Sequence, residues 1–300
     1  MSPTHHPAIE SWWSSGGFTL VFVATSILYL RGRHRLHSAS VRVIPGWCAG
    51  SLFLGLISIW VALGSPLAIY DHELLTVHMV QHLLLMAVAP PLILLGRPAL
   101  SLLHGLPKRF VQGIVGPFLR WAPVRQLEKI ITRPVFCWIA ATMTVIGWHL
   151  PTAFALGLHS AAWHEIQHAS FLMAGLLFWW PVIRPWPSIS RSPQWSLPLY
   201  LFLATLPCDA LSAFLTFCGR VVYPSYLLAP RSFEISALQD QEWAGVLMWV
   251  CITFIYMAPA LALTVRILSP AAPPGNSPAV ALGPQTVGNE LLGATRIEVM

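Results

Sequence analysis

The residues of this chain best suited to chemistry are histidines that come in pairs. His78-Met79-Val80-Gln81-His82 stands near the start of one long apolar run. His164-Glu165-Ile166-Gln167-His168 opens another, with the same spacing and again a glutamine before the second histidine. Side chains four residues apart on a helix lie one above the other on one face, so both imidazoles of a pair can reach a single partner. Ionisable groups inside apolar helices are costly unless something satisfies them, which marks such a cluster as functional by default. Neutral imidazole suits Cu, Zn, Fe and Ni, and thioether or thiol groups nearby shift the preference toward Cu(I).

The segments that hold these pairs are membrane spans. The chain is 56% hydrophobic and 9% charged, against about 25% charged residues in ordinary soluble domains. A crossing needs about 20 apolar residues, and that criterion gives seven spans, near 12–30, 47–63, 74–95, 135–149, 162–182, 197–217 and 240–265. The fold class expected is therefore an all-α integral membrane bundle of seven transmembrane helices. Pro90-Pro91 is expected to kink or end the third span. The basic connection 96–134 spaces apolar residues such as Phe110, Ile114 and Phe118 through it, which predicts short amphipathic helices along the membrane surface. Trp179-Trp180 closes the fifth span in the manner of an aromatic belt. With no Lys or Arg ahead of the first run and no small-residue cleavage site after it, that run reads as a retained span. Five scattered cysteines make neither a disulfide framework nor a zinc ribbon. Three regions result: a head, first span and basic loop over 1–44, a six-helix core over 45–268, and a proline-rich tail over 269–300, expected to be disordered.

Orientation follows from the cations. Fifteen Lys and Arg fall in loop 31–42, connection 96–134, loop 184–196 and the tail, and only Arg220 and Arg231 lie on the other side. The positive-inside rule then puts the N-terminus outside and the C-terminus in the cytoplasm, and accounts for the formal charge of +6 without nucleic acid. His72, His78, His82, His149, His159, His164 and His168 come to lie at or just below the outer surface. At 1.5 Å per residue, His82 and Asp209 share a depth on the order of 12 Å. Asp240 marks the outer entrance of the seventh span, and Met86, Met248, Cys208 and Cys251 fall within reach of the same layer. A transition-metal site between helices is the reading this favours. Two others share the residues: an intramembrane zinc protease built on His164-Glu165-x-x-His168, with Glu165 as general base, and a haem held by one histidine from each of two helices.

The run from His78 to Met86, continuing through Ala89-Pro90-Pro91 to Leu95-Gly96-Arg97-Pro98, resembles the hallmark of the CtaG family of cytochrome c oxidase assembly factors. So do Trp148-His149-Leu150-Pro151, His164 to His168 with Phe178-Trp179-Trp180-Pro181, and Asp240-Gln241 with Ala244-Gly245 and Met248-Trp249. The likeness covers roughly residues 45–265. It implies a non-catalytic factor of the bacterial inner membrane that serves oxidase subunits, together with other copper chaperones, at the step of copper acquisition. His78, His82, His149, His164 and His168 would be the copper ligands, with Asp209 and Asp240 as supporting acidic groups. Gln167 stands where the family pattern often carries an acidic residue. A neutral side chain there would orient His168 less firmly and make it less basic.

Overall fold

A computed structural model describes residues 17–38, 44–183, 193, 195–230 and 234–269 of the chain, and every element among them is helical. The expected tail and the start of the first span lie outside the described residues. The long helices are α1 (Gly17–Ser38), α2 (Gly46–Gly64) and α3 (Leu75–Leu95). After α4 (Pro98–Gly105) and α5 (Ala122–Ile131) come α6 (Pro134–His149) and α7 (Pro151–His159). The remainder is α8 (Ala161–Ile183), α9 (Ser196–Phe217), the short α10 (Ser225–Leu228) and α11 (Ala237–Leu268).

Five stretches, 46–70, α3, α8, α9 and α11, are long and apolar enough to cross a membrane. A sixth is added if α5 and α6, bent by 71° where they meet, count as one span. Outward faces carry exposed Leu54, Met143, Met173, Phe202, Val246 and Phe254, a surface matched to hydrocarbon rather than water. In lipid, helices gain little from hiding apolar side chains from one another, so close backbone approach over small residues matters more. Gly245 on α11 faces the Ser212 carbonyl and Thr216 of α9, and those two helices pack along their length.

At α1 the structure departs from a span that stops at its basic residues. The helix runs on through Arg31, Arg33 and Arg35; Arg31 is exposed, and the other two find backbone acceptors. Arg33 donates to the Pro45 carbonyl at 2.9 Å, and Arg35 donates to the carbonyls of His104 (2.9 Å) and Leu106 (3.3 Å). Gly32 and Gly105 let α1 and α4 cross in contact, each facing a backbone carbonyl of the other helix. The connection 96–134 folds as expected into short helices, with Phe110, Ile114, Phe118, Trp121 and Leu127 exposed.

α3 is the central helix, packed by α2, α8 and α11. Pro90 and Pro91 have no N–H to give the carbonyls of Met86 and Ala87. The backbone absorbs this by widening: Leu84–Val88 is a π turn, with the Ala89 N–H bonded to the Leu84 carbonyl, and the helix then continues to Leu95. Turns of this kind recur at functional sites. Opposite the turn stands Gly175 of α8, where a Cβ would come within 2.5 Å of the Met86 carbonyl oxygen and 2.6 Å of Pro90 Cγ.

Candidate metal centre

Each pair of histidines sits on the inward face of its helix, one on α3 and one on α8, and His149 ends α6 beside them. An imidazole nitrogen lies about 2.0–2.1 Å from a bound first-row ion, so two rings sharing one ion have nitrogens roughly 3.3 Å apart and centroids no more than about 6.5 Å apart. His164 Nε2 and His168 Nε2 are 3.1 Å apart. Ring centroids are separated by 4.3 Å for His78 and His82, 5.6 Å for His78 and His164, 6.0 Å for His82 and His168, and 6.1 Å for His82 and His149. Imidazoles from three helices thus converge.

Aromatic neighbours fix the rings. His82 stacks on Phe171 at 4.0 Å, and His78 lies 5.0 Å from Phe154 of α7, which in turn stacks on Tyr223 at 3.9 Å. His149 Nδ1 donates to the Val145 carbonyl at 2.7 Å, leaving the Nε2 lone pair 3.4 Å from Met79 Sδ. His78 is fully buried and His82 nearly so, yet none of their four ring nitrogens has a hydrogen-bond partner. Buried polar atoms are almost always paired, and an unpaired one costs about 1–3 kcal/mol. Below the rings is a cavity of about 30 Å³, lined by His82, His149, Met79, Met86, Cys208 and Met248. That exceeds the roughly 10–15 Å³ a water-sized species needs, and nitrogen and sulfur donors share the lining with Leu83, Val145, Phe171 and Ile252. Those donor types and the unpaired nitrogens fit a soft cation.

Residues 27–269 match the cytochrome c oxidase caa3 assembly factor family, CtaG. The chain belongs to that family. The matched stretch includes part of α1, which the likeness in the sequence left out, and holds every histidine of the cluster. The CtaG-family chain is also 25% identical, over 258 residues, to uncharacterised proteins of Mycobacterium bovis and Mycobacterium tuberculosis, and 24% identical over 255 residues to one of Mycobacterium leprae. These alignments cover 81–82% of this chain and 38% of each relative, so the chain spans under two fifths of their length. No solved structure matches it.

Neither acidic residue of the expected set, Asp240 or Asp209, lines the small cavity of the CtaG-family chain. Asp240 is buried at the start of α11, where its carboxylate accepts the N–H groups of Leu75 (2.6 Å) and Thr76 (3.1 Å). Those first-turn amides of α3 have no partner within their own helix, and Leu74 supplies no cap. Asp240 therefore fixes the α3 N-terminus at Leu75, three residues ahead of His78 and four ahead of Met79. Asp240→Ala is expected to destabilise the detergent-purified protein by about 2 kcal/mol, read as an earlier thermal unfolding transition. Asp209 lines neither this cavity nor the cleft described below. It is half-buried, 3.5 Å from Thr253 Oγ1, while its neighbour Cys208 turns into the cavity. Cys251 does not line it either.

Glu165 is exposed, whereas His164 is buried and His168 partly so. Gln167 is fully buried, and a Cβ on Gly157 would come within 2.8 Å of its Oε1. Its amide meets α7 there and has no hydrogen-bond partner. Trp179 is buried against Phe178 and Tyr256 instead of forming a surface belt.

Several residues of the site were not among the expected ligands. Met79 shares a face with Met86, seven residues on, and that spacing around His82 was the available signal. Tyr223 and Tyr226 lie in the connection between α9 and α11, where Tyr223 Oη donates to the His149 carbonyl (3.0 Å) and Tyr226 Oη to the Asp71 carbonyl (2.8 Å). Burial pushes the Tyr226 phenol well above its ordinary range, and the Asp71 and Asp240 carboxylates add to the rise. It stays a donor at any physiological pH. His149 also borders a larger cleft of about 540 Å³, between Leu150 of the α6 end, Leu211 and Phe214 of α9, and Tyr223.

Proposed function

We propose that this protein is a multi-pass inner-membrane factor that holds Cu(I) transiently on the outer side of the bilayer and passes it to a haem-copper oxidase subunit during assembly. α1, with the six candidate spans, makes the seventh crossing, and the cation count puts the N-terminus outside and the C-terminus in the cytoplasm. His78, His82, His149, His164 and His168 are the ligands, with Met79 and Met86 below them; Asp240 supports the site by holding α3 and Asp209 lies behind it. The observation that carries this reading is the four unpaired, buried ring nitrogens of His78 and His82, which a soft cation would satisfy. Family membership supplies the client, an oxidase. Imidazole and thioether ligands with at most one thiol hold Cu(I) less firmly than a thiolate cage, which favours transfer over storage. His149, common to the small cavity and the larger cleft, gives the ion a lateral way out.

The test is elemental analysis of the full chain purified in mild detergent, paired with oxidase activity in cells lacking it. Copper near one per chain is expected, with oxidase activity lost in the deletion strain and regained with the gene. Absence of copper from protein loaded with Cu(I) overturns the metal reading, and full oxidase activity in the deletion strain overturns the client.

A further inference from the structure

At the mouth of the cluster, in the turn between α2 and α3, lie Asp71 and His72. Asp71 is 4% exposed. Its Oδ2 is 3.6 Å from His164 Nε2 and its Oδ1 is 3.7 Å from His72 Nε2. These are too long for hydrogen bonds. They are close to the roughly 3.3–3.6 Å between two nitrogen or oxygen ligands of one ion at 2.0–2.2 Å. One ligand atom from each of Asp71, His72 and His164 lies within 4.8 Å of the other two. Asp71 Oδ1 is buried without a hydrogen-bond partner. The rest of the residue is held: Gln81 Nε2 reaches Oδ2 at 3.4 Å while also donating to the Ala62 carbonyl, and Tyr226 holds the Asp71 backbone.

We infer that Asp71, His72 and His164 form a separate entry station for a first-row cation, Zn(II) or Cu(I), and that His164 passes Cu(I) inward with its oxidation state unchanged. A carboxylate with two imidazoles is a harder ligand set than the thioether-lined cavity below: it suits Zn(II), and its two imidazoles also take Cu(I) in passage. Its outer ligand is open, since the His72 side chain is 54% exposed, so an aqueous ion can exchange water for ligands there. His164 Nε2 stands 3.6 Å from Asp71 on one side and 3.1 Å from His168 Nε2 on the other. A single lone pair serves one ion at a time. An ion that keeps His164 while it releases Asp71 and His72 and gains His168 moves one step deeper without becoming free. The station itself is independent of the copper reading, and only the inward direction of travel rests on it.

Zn(II), which undergoes no redox change, is the probe. Titration of the full chain in detergent is expected to show one Zn(II) site, weakened at least tenfold in both His72→Gln and Asp71→Asn. In both variants Cu(I) stoichiometry stays unchanged, while the rate of Cu(I) loading falls at least tenfold. His72→Gln alters an exposed side chain, so the fold is not at stake, and Asp71→Asn preserves shape. Zn(II) affinity within threefold of the unaltered chain in either variant overturns the station. Unchanged loading rates overturn the hand-off. If Zn(II) binding falls but His82→Ala/His168→Ala leaves bound copper intact, the station stands and the copper-holding cluster does not.

Discussion

Purified His82→Ala/His168→Ala protein is expected to retain less than a tenth of the copper of the unaltered chain after Cu(I) loading. The two residues come from different helices, with ring centroids 6.0 Å apart, so the double change removes one ligand from each of α3 and α8. Loss of metal could also follow from loss of fold, and a second variant separates the two. Both nitrogens of His82 are buried and unpaired, so in the metal-free protein this side chain carries a desolvation cost without a compensating bond. His82→Leu replaces it with an apolar group of similar size against Phe171. It is expected to stabilise the metal-free protein by about 1–3 kcal/mol while also abolishing copper binding. A structural histidine would behave in the opposite way, since its removal would lower the melting temperature. Elemental analysis and thermal unfolding on the same preparations decide between them. A site kept for function at the expense of stability is the pattern expected here.

Gly175→Leu is expected to cost 1–3 kcal/mol or more, and to lower copper content at least severalfold although every histidine is intact. The new side chain would meet the Met86 carbonyl at 2.5 Å, Pro90 Cγ at 2.6 Å and Met86 Cα at 2.9 Å. Backbone and a proline ring cannot swing aside as a flexible side chain does, so α8 must move off the π turn of α3. That separates the two histidine pairs and widens the cavity at Met86. Gly147→Leu on α6 is the control, because nothing stands within 4 Å of a Cβ there. Copper content and melting temperature of the control should match the unaltered chain. Equal copper in Gly175→Leu and the unaltered chain would show that the close contact of α3 and α8 is not what holds the metal cluster together.

The long apolar runs were legible because crossing a bilayer sets a length and a composition that few other structures meet. The helices α2, α3, α8, α9 and α11 begin and end within a few residues of the expected spans. Pairing within His78/His82 and within His164/His168 was equally legible, since a four-residue spacing fixes two side chains on one face whatever surrounds the helix. α7 was not, because its nine residues are too short to cross and carry no strong period.

Rotation about the helix axis, and the choice of neighbour, came only with tertiary structure. Depth follows from counting residues along a helix, but successive residues point about 100° apart. Counting therefore placed Asp209 at the level of His82, while packing of α9 against α11 turned Cys208 to the cavity and Asp209 toward Thr253. The role of Asp240 could not be read from its own helix either, because the amides it caps belong to α3, 164 and 165 residues away in the chain. Asp71 and His72 sit in a turn with no period to mark them, and only the approach of α8 brings His164 within reach of both. The chain's local chemistry thus named the imidazoles and the membrane that surrounds them. Helix packing decided which carboxylates, sulfurs and tyrosines meet them, because contacts between distant segments depend on how whole helices are turned and not on any spacing within one.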